Sequence, residues 1–255
     1  MATLLPAPQG DWLCLSDLHL SPETPQHTAL FLQCCREIPA SVSDIYILGD
    51  LFDFWVHRQQ AQEEPQRRVL SALATLVREG RQVWVMGGNR DFALDPNTLA
   101  QFSLRSLPDP AVLPMGILLT HGDLLCTDDT RYLHFRRWIR NPLLLAGLRW
   151  LPYPGLLWLG RRLRRQSQHE LQQKPREMTQ ASPLGIHQAL LGEGIFASSL
   201  APYHTLIHGH THVPLDERIA DLSARRLVLS DWHEDGATLL IGKKDGGIQL
   251  WHFPA

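Results

Sequence analysis

The stretch Ile45-Tyr46-Ile47-Leu48-Gly49-Asp50 runs from an apolar segment into a glycine and a carboxylate. An apolar run of this length predicts a buried strand, and it places Asp50 at the carboxyl end of that strand. Four further segments repeat the arrangement, with polar residues after Trp12–Leu15, Val83–Met86, Ile117–Leu119 and Thr205–Ile207. Because open α/β sheets bind ligands outside the carboxyl ends of their strands, the five segments predict one shared site.

The residues that follow these strands form a set of potential metal ligands. The set contains two aspartates, one asparagine and four histidines: Asp17, His19, Asp50, Asn89, His121, His208 and His210. Oxygen and nitrogen ligands without sulfur favour Mn²⁺, Fe²⁺ or Zn²⁺ over Ca²⁺ or a structural cysteine-rich zinc. Two ions need a shared ligand, and Asp50, alone at its strand end, is the predicted bridge. A metal pair about 3.5–4 Å apart stabilises in-line displacement at phosphorus, which predicts phosphoester or pyrophosphate hydrolysis.

Each of these motifs has an ordinary explanation when it is taken singly, because Asp-x-His and His-Gly-x-His often serve turns or caps. The metal hypothesis depends on all five segments occurring in order at strand ends. Asp91 and Asp123 lie beside predicted ligands, where they either orient imidazoles and Arg90 or act as turn residues. Most of the other histidines are interpreted as surface residues or ordinary polar contacts: His27, His57, His134, His169, His187, His204, His212, His233 and His252.

Composition limits the possible classes of protein. A chain of 255 residues with 44% hydrophobic content can bury a substantial core. The net charge of −2 gives no sign of a protein built for polyanions, so a nucleic-acid partner is not expected. Its four cysteines form no CxxC pair, which suits a reducing cytosol. The first residues lack a basic segment followed by an apolar one, so we expect no secretory signal and a cytoplasmic location.

Helix-forming segments alternate with the early strands. Helices are predicted at about 25–37, 66–79 and 97–104, which indicates a βα repeat. After His210 the apolar runs are short and separated by turns, which predicts an antiparallel meander of Arg226–Ser230, Thr238–Ile241 and Ile248–Phe253. We expect residues 1–255 to form a single domain, with a helical cap inserted at 130–200.

The predicted insertion is rich in leucine and tryptophan. Pro152 and Pro154 interrupt its apolar part, which is too short on either side for the roughly 20 residues of a membrane span. Trp150 and Trp158, followed by the basic run Arg161–Arg165, suit contact with acyl chains or lipid headgroups. The alternative is a helical hairpin that packs on the domain and exposes its arginines to solvent. Both interpretations can hold together.

Five blocks resemble the signature motifs of the calcineurin-like metallophosphoesterases: Asp17–His19, Gly49–Phe52, Gly88–Asp91, His121–Asp123 and His208–Thr211. Longer strings resemble the UDP-2,3-diacylglucosamine hydrolases of lipid A biosynthesis: Ile47–Trp55, Gly88–Phe92, His121–Asp129 and Trp251–Pro254. This resemblance implies a four-layer α/β/β/α sandwich with a helical cap. It also implies water attack on the α-phosphate of UDP-2,3-diacylglucosamine, which gives UMP and 2,3-diacylglucosamine 1-phosphate. The basic run Arg161–Arg165 beside the apolar insertion predicts a peripheral location on the cytoplasmic face of the inner membrane.

The resemblance also implies residue roles. It places Asp17, His19, Asp50 and His210 on one Mn²⁺ and Asp50, Asn89, His121 and His208 on a second, with Fe²⁺ or Zn²⁺ as alternatives. It gives catalytic roles to Asp50, Asn89, Arg90 and His121. Many superfamily members have a histidine, a candidate general acid, where this chain has Arg90, which cannot supply a proton at neutral pH. Arg90 is therefore expected to stabilise phosphate charge. Implied substrate contacts are Asn89, Arg90, Asp129, Ser167, Lys174 and His208.

Two departures from the family pattern bear on specificity. Leu171 stands where the family has an asparagine on the cap, and His57–Gln60 replaces a usual Gly-Asp-Asp. Two other functions stay open: hydrolysis of a soluble nucleotide or small pyrophosphate, and a scaffold without metals, which the complete ligand set argues against. The expected partners are an acylated UDP-sugar and the inner-membrane surface, and no obligate protein partner is expected.

Overall fold

Two six-stranded sheets form the centre of the computed structural model, which describes residues 1–148, 150–173 and 180–254. The strands are β1 (Thr3–Leu4), β2 (Asp11–Leu15), β3 (Val42–Ile47), β4 (Gln82–Met86), β5 (Arg105–Leu107), β6 (Ala111–Leu113), β7 (Ile117–Thr120), β8 (Thr205–His208), β9 (Leu215–Ile219), β10 (Ala224–Val228), β11 (Gly236–Gly242) and β12 (Ile248–Pro254). The helices are α1 (Pro25–Glu37), α2 (Gln66–Arg78), α3 (Pro96–Ala100), α4 (Thr130–Ile139), α5 (Pro142–Leu148), α6 (Tyr153–Gln173) and α7 (Pro183–Leu191).

The strand order explains why the predicted ligands share one edge. The first sheet has the order β12-β11-β2-β3-β4-β5, and β2 to β5 run parallel to one another. The second sheet has the order β1-β6-β7-β8-β10-β9, and β7, β8 and β10 are parallel. The carboxyl ends of neighbouring parallel strands lie side by side, so each sheet brings its polar segments to one edge.

Successive residues of the central strands enter different cores. On β2, Leu13 packs under α1 and α2, whereas Trp12 packs between the two sheets with residues such as Leu119 and Ile207. A third cluster joins the outer face of the second sheet to Ile186 of α7. These clusters define four layers in the order α/β/β/α, which confirms the expected sandwich. Burial on both faces is why the strands read as continuous apolar runs in the sequence.

Some predicted bounds were wrong. The helix expected at 97–104 ends at Ala100, since Ser103 adopts a left-handed φ of 60° and Arg105–Leu107 forms β5. The strands after His210 form two hairpins in different sheets, β9–β10 in the second and β11–β12 in the first, so they do not form one meander. Turns in the sequence do not reveal which sheet a strand joins.

Residues 130–200 contain helices of two kinds. Ile186, Ala189 and Leu190 of α7 are buried and pack on the second sheet, so α7 belongs to the outer helical layer. α4 contains no fully buried residue and leaves Phe135 and Trp138 exposed. In the described part of the chain, no helix combines the length and hydrophobicity of a membrane span. The boundary of a cap at 130–200 stays a prediction.

Candidate metal centre

Predicted ligands from both sheets meet beside the carboxylate of Asp50. Its Oδ2 lies 3.8 Å from His19 Nδ1 and 3.9 Å from His121 Nε2. Asn89 Oδ1 lies 2.8 Å from His121 Nε2 and 3.1 Å from His210 Nδ1. Ligand atoms of Asp17, Asp50 and His121 all lie within 4.8 Å of one another. Asp50 thus stands between two groups of side chains, as a bridging ligand requires.

The backbone of these segments is held in conformations that non-glycine residues seldom adopt. Asp17, His19, Asp50 and His210 have φ angles of 54°, 49°, 52° and 66°. Left-handed φ values at such residues are strained and concentrate at functional sites. Gly88 is needed for a different reason, because a Cβ there would collide with the carboxylate of Asp50. The chain therefore accepts local strain to aim these side chains at one place.

His208 is fully buried, and both of its ring nitrogens contact protein atoms. Nδ1 lies 2.8 Å from the carbonyl oxygen of Gly209, and Nε2 lies 3.0 Å from Nε of Arg226. Burial, and then the nearby Arg226, lowers the pKa of His208 to about 3. Burial and His121 lower the pKa of His210 to about 4. Both imidazoles are therefore neutral at pH 7, the form that binds metals, but His208 would have to exchange a protein contact for a metal.

Buried polar atoms that form no hydrogen bond indicate whether the site fits a metal. Asp17 Oδ1 and His19 Nδ1 are buried and form no hydrogen bond within the described residues, although His212 Nε2 lies 3.4 Å from Asp17 Oδ1 and Asp50 Oδ2 lies 3.8 Å from His19 Nδ1. Leaving a buried polar group unpaired costs about 1–3 kcal/mol, and more for a charge. Burial also raises the pKa of Asp50 to about 7, and a cation beside it would favour the carboxylate form. The donor set and its unsatisfied atoms fit divalent cations.

Asp91 holds two ligand segments together through their backbones. Its Oδ1 accepts from Gly88 N at 2.8 Å and from Asp50 N at 3.3 Å, and its Oδ2 accepts from Phe52 N at 3.2 Å. These contacts fit the turn-residue interpretation of Asp91.

Asp123 has a different set of partners, on the helix α4. Its Oδ2 accepts from Nε of Arg136 at 2.6 Å and from the hydroxyl of Tyr132 at 2.5 Å. Asp123 thus ties α4 to the segment of His121.

Arg90 reaches over the site from the Asn89 segment. Its backbone N donates to Asp50 Oδ1 at 2.8 Å, and its Nε lies 3.6 Å from Asp50 Oδ2. Its Nη1 donates to Asp53 Oδ1 at 2.8 Å. Arg164 of α6 donates to the same carboxylate and to the Asp53 carbonyl. The role of Arg164 was missed, because the run Arg161–Arg165 does not reveal which arginine turns inward.

His212 lies beside the predicted ligands Asp17 and His19, a position that the sequence interpretation did not assign to it. Its Nε2 lies 3.4 Å from Asp17 Oδ1 and 3.3 Å from His19 Nε2, and its Nδ1 lies 3.2 Å from Asp231 Oδ2. Burial opposes the charged ring, but Asp17 and Asp231 outweigh burial and raise the pKa of His212 to about 10. Its position two residues after His210, in the spacing that separates His208 from His210, is a signal that was available in the sequence.

A cavity of about 910 Å³ opens beside these side chains. Its polar end contains Asn89, Arg90 and Arg164. Its apolar walls include Phe54, Phe92, Phe135, Trp138, Leu145 and Leu156. Of the predicted metal ligands, Asn89 lines this cavity, so the ligand cluster and the apolar pocket are neighbours.

Comparison with known proteins identifies the family, although no family model matches the chain. UDP-2,3-diacylglucosamine hydrolase of Pseudomonas aeruginosa is 36% identical over 234 residues, 90% of this chain and 94% of the relative. The proteins of the same name from Pseudomonas fluorescens and Azotobacter vinelandii are 37% and 35% identical, over 94% and 95% of this chain and 96% and 98% of their own. The chain belongs to the UDP-2,3-diacylglucosamine hydrolase family. This confirms the resemblance seen in the motifs.

Two solved structures that resemble this chain share less sequence identity with it. A Thermotoga maritima protein solved by NMR covers 96% of this chain and 99% of its own, with a TM-score of 0.44 and 15% identity. A hypothetical Pyrococcus horikoshii protein gives a TM-score of 0.45 and 14% identity over 96% of this chain and 88% of its own. Scores at this level carry no argument about function.

The substrate contacts carried over from the family are only partly visible. Asp129 is buried and caps α4, where its Oδ1 accepts from Tyr132 N at 3.0 Å. Lys174 lies outside the described residues, and the side chains at Ser167 and Leu171 are also outside them. At the departure His57–Gln60, His57 caps a short 3-10 helix (Arg58–Gln62). Its Nδ1 accepts from Gln59 N at 3.2 Å, and its ring lies 5.3 Å from that of Tyr153 on α6.

Proposed function

We propose that this chain hydrolyses the pyrophosphate bond of UDP-2,3-diacylglucosamine, by water attack at the α-phosphate, and releases UMP and 2,3-diacylglucosamine 1-phosphate. The observation that carries the proposal is that Asn89, a predicted ligand, and Arg90 beside it line the cavity of about 910 Å³ together with apolar side chains. A lipid-linked diphosphate needs a polar site and an apolar pocket side by side. The names of the curated relatives supply the substrate.

The predicted ligand set would hold two Mn²⁺ ions, with Fe²⁺ or Zn²⁺ as alternatives. Asp17, His19, Asp50 and His210 would hold one ion, and Asp50, Asn89, His121 and His208 would hold the other. When bound, such a pair supplies Lewis-acid polarisation of a phosphoryl oxygen. The buried His19 Nδ1, which forms no hydrogen bond within the described residues, supports the first group. The contact of Asn89 with His121 supports the second.

Arg90 and Arg164 would bind the diphosphate from the polar end of the cavity. Both guanidinium groups share Asp53, which fixes their positions before substrate arrives. A planar guanidinium matches phosphate oxygens with two parallel donors. Neither arginine supplies a proton at neutral pH, so a leaving group that needs little protonation is favoured. The sugar 1-phosphate that leaves from a pyrophosphate meets that requirement.

Acyl chains would occupy the apolar walls of the cavity. Burial of each methylene contributes about 0.8 kcal/mol, so even part of two chains dominates the binding free energy. Trp138 and Leu156 line this space, whereas Trp158 is 60% exposed and outside it. Trp158 therefore serves a different surface.

The exposed aromatic residues support peripheral attachment to the cytoplasmic face of the inner membrane. Trp150 is 90% and Leu143 is 84% exposed, and Arg162 lies 5.6 Å from the ring of Trp158. Aromatic and basic residues together suit an anionic headgroup layer. We expect the protein to co-sediment with anionic vesicles at low salt, and Trp158→Ala to weaken that binding. Recovery in the supernatant under those conditions would contradict peripheral attachment.

A substrate panel tests the proposal. With Mn²⁺ present, we expect rapid hydrolysis of UDP-2,3-diacylglucosamine and little turnover of UDP-glucosamine, UDP-N-acetylglucosamine or ADP-ribose. Asp50→Ala is the control for activity from contaminating enzymes. Equal turnover of substrates without acyl chains would favour the alternative, a phosphoesterase for soluble nucleotides or small pyrophosphates.

A further inference from the structure

The helix α6 packs on the loop after β3 along one face. Tyr153, Leu156, Gly160 and Arg164 follow one another at intervals of three or four residues, so they lie on the same side of the helix. Tyr153 donates its hydroxyl to Glu63 Oε1 at 2.6 Å, near one end of this face. Arg164 binds Asp53 at the other end. Leu156 and Gly160 are buried between these two contacts.

Gly160 is the residue at which α6 comes closest to the loop after β3. A Cβ added there would overlap Cζ of Phe54 and would lie 2.7 Å from Phe54 Cε2 and 2.9 Å from Val56 Cγ1. Its backbone is helical, so no left-handed φ explains the glycine. Glycine inside a helix costs about 1 kcal/mol relative to alanine. The glycine is explained by the ring of Phe54, which occupies the space of a side chain.

Gly160 and Phe54 both line the large apolar cavity, so their contact forms part of its wall. We infer that Gly160 determines the specificity of the site for acyl-chain length, because it lets α6 lie directly on the Phe54 ring and so sets the width of the cavity. This inference rests on the proposed function. Gly160 is the residue that limits the length of the acyl chains that the site accepts.

The contacts of Tyr153 and Arg164 determine which part of the structure moves when Gly160 is replaced by alanine. Tyr153 and Arg164 fasten α6 on both sides of Gly160, whereas the far end of the Phe54 ring can turn about its side-chain bonds. The ring is therefore displaced into the cavity. The cavity becomes narrower, and long acyl chains lose more contact than short ones.

The experiment compares two alanine substitutions in the same helix. Gly160→Ala collides with Phe54, whereas Gly155→Ala is the matched control, since a Cβ at Gly155 meets no atom within 4 Å. kcat/KM is measured for UDP-2,3-diacylglucosamine analogues with acyl chains of increasing length. For Gly160→Ala we expect about a fourfold loss for each methylene that no longer fits, against little change with the shortest chains. Gly155→Ala should keep the wild-type profile.

The substitution Phe54→Ala provides an independent test of the same inference. Removing the ring should widen the cavity and move the preferred length to longer chains, and adding Phe54→Ala to Gly160→Ala should restore long-chain turnover. Parallel length profiles for Gly160→Ala and Gly155→Ala overturn the inference, as does an unchanged preference in Phe54→Ala. If the wild type hydrolyses UDP-glucosamine as fast as acylated substrates, the proposed function itself fails. If it requires acyl chains but all variants share its profile, only the role of Gly160 fails.

Discussion

Arg136→Met should destabilise the protein strongly, because Arg136 neutralises two buried carboxylates. Its Nη2 lies 2.6 Å from Asp109 Oδ2 and its Nε lies 2.6 Å from Asp123 Oδ2. The side chain of Arg136 is 11% exposed and that of Asp123 is fully buried. Removing one partner of a buried ion pair costs about 3–5 kcal/mol, since a charge is left uncompensated. Methionine keeps most of the apolar stem.

Nearby groups place the expected loss at the lower end of that range. Arg140 Nη2 lies 3.7 Å from Asp123 Oδ2 and compensates part of the charge. Asp109 Oδ1 keeps its bonds from Thr120 Oγ1 at 2.7 Å and His121 N at 3.3 Å. We therefore expect a loss of about 3 kcal/mol in the free energy of unfolding. For a chain of this size, that corresponds to a fall in Tm of roughly 6–12 °C.

Urea unfolding followed by tryptophan fluorescence measures the effect. Arg67→Met is the matched control, because Arg67 pairs with Glu64 at the surface, where the side chains are 58% and 52% exposed. An exposed pair contributes about 0–1 kcal/mol, so the control should change stability little. Equal losses for Arg136→Met and Arg67→Met would refute the view that the α4 ion pairs are buried and structurally important.

Three further predictions concern the site. Asp50→Ala should abolish turnover and reduce metal binding measured by calorimetry, because the shared ligand is lost; unchanged stoichiometry would contradict its bridging role. Arg90→Ala should lower kcat about 10²–10³-fold with metal affinity retained, because it removes a donor that stabilises phosphate charge. Arg90→Lys should recover only part of the rate. A loss of metal in Arg90→Ala would show that this role is wrong. Trp138→Ala should raise KM for long-chain substrates more than for short-chain analogues, and an equal rise for both would exclude Trp138 from the acyl pocket.

The apolar strand ends were the predictable part of the structure. Ile45–Leu48 and Val83–Met86 are buried on both faces, so their positions and the polar residues after them could be read from the chain. The short strands β1 and β9 could not, because they are two and five residues long and mostly exposed, and β1 also pairs with residues more than 100 positions away. Edge strands of this kind carry little periodic signal.

Side-chain contacts between residues far apart in the sequence could not be predicted either. Arg164 and Asp53 are 111 residues apart, so their contact has no local signature. His212 repeats the spacing between His208 and His210, but the sequence does not reveal its contact with His19, 193 residues away. The sequence identified Asp91 as a residue beside the site, but the structure was needed to show that it accepts backbone N–H groups from the Asp50 and Asn89 segments. Motifs predict which residues meet, and the tertiary fold determines how they meet.

The proposed metal pair around Asp50 is tested most directly by anomalous diffraction from crystals equilibrated with Mn²⁺. The account predicts two manganese peaks that share the Asp50 carboxylate, one contacted by Asp17, His19 and His210 and the other by Asn89, His121 and His208. A single peak, or peaks that leave Asp50 without contact, would contradict it.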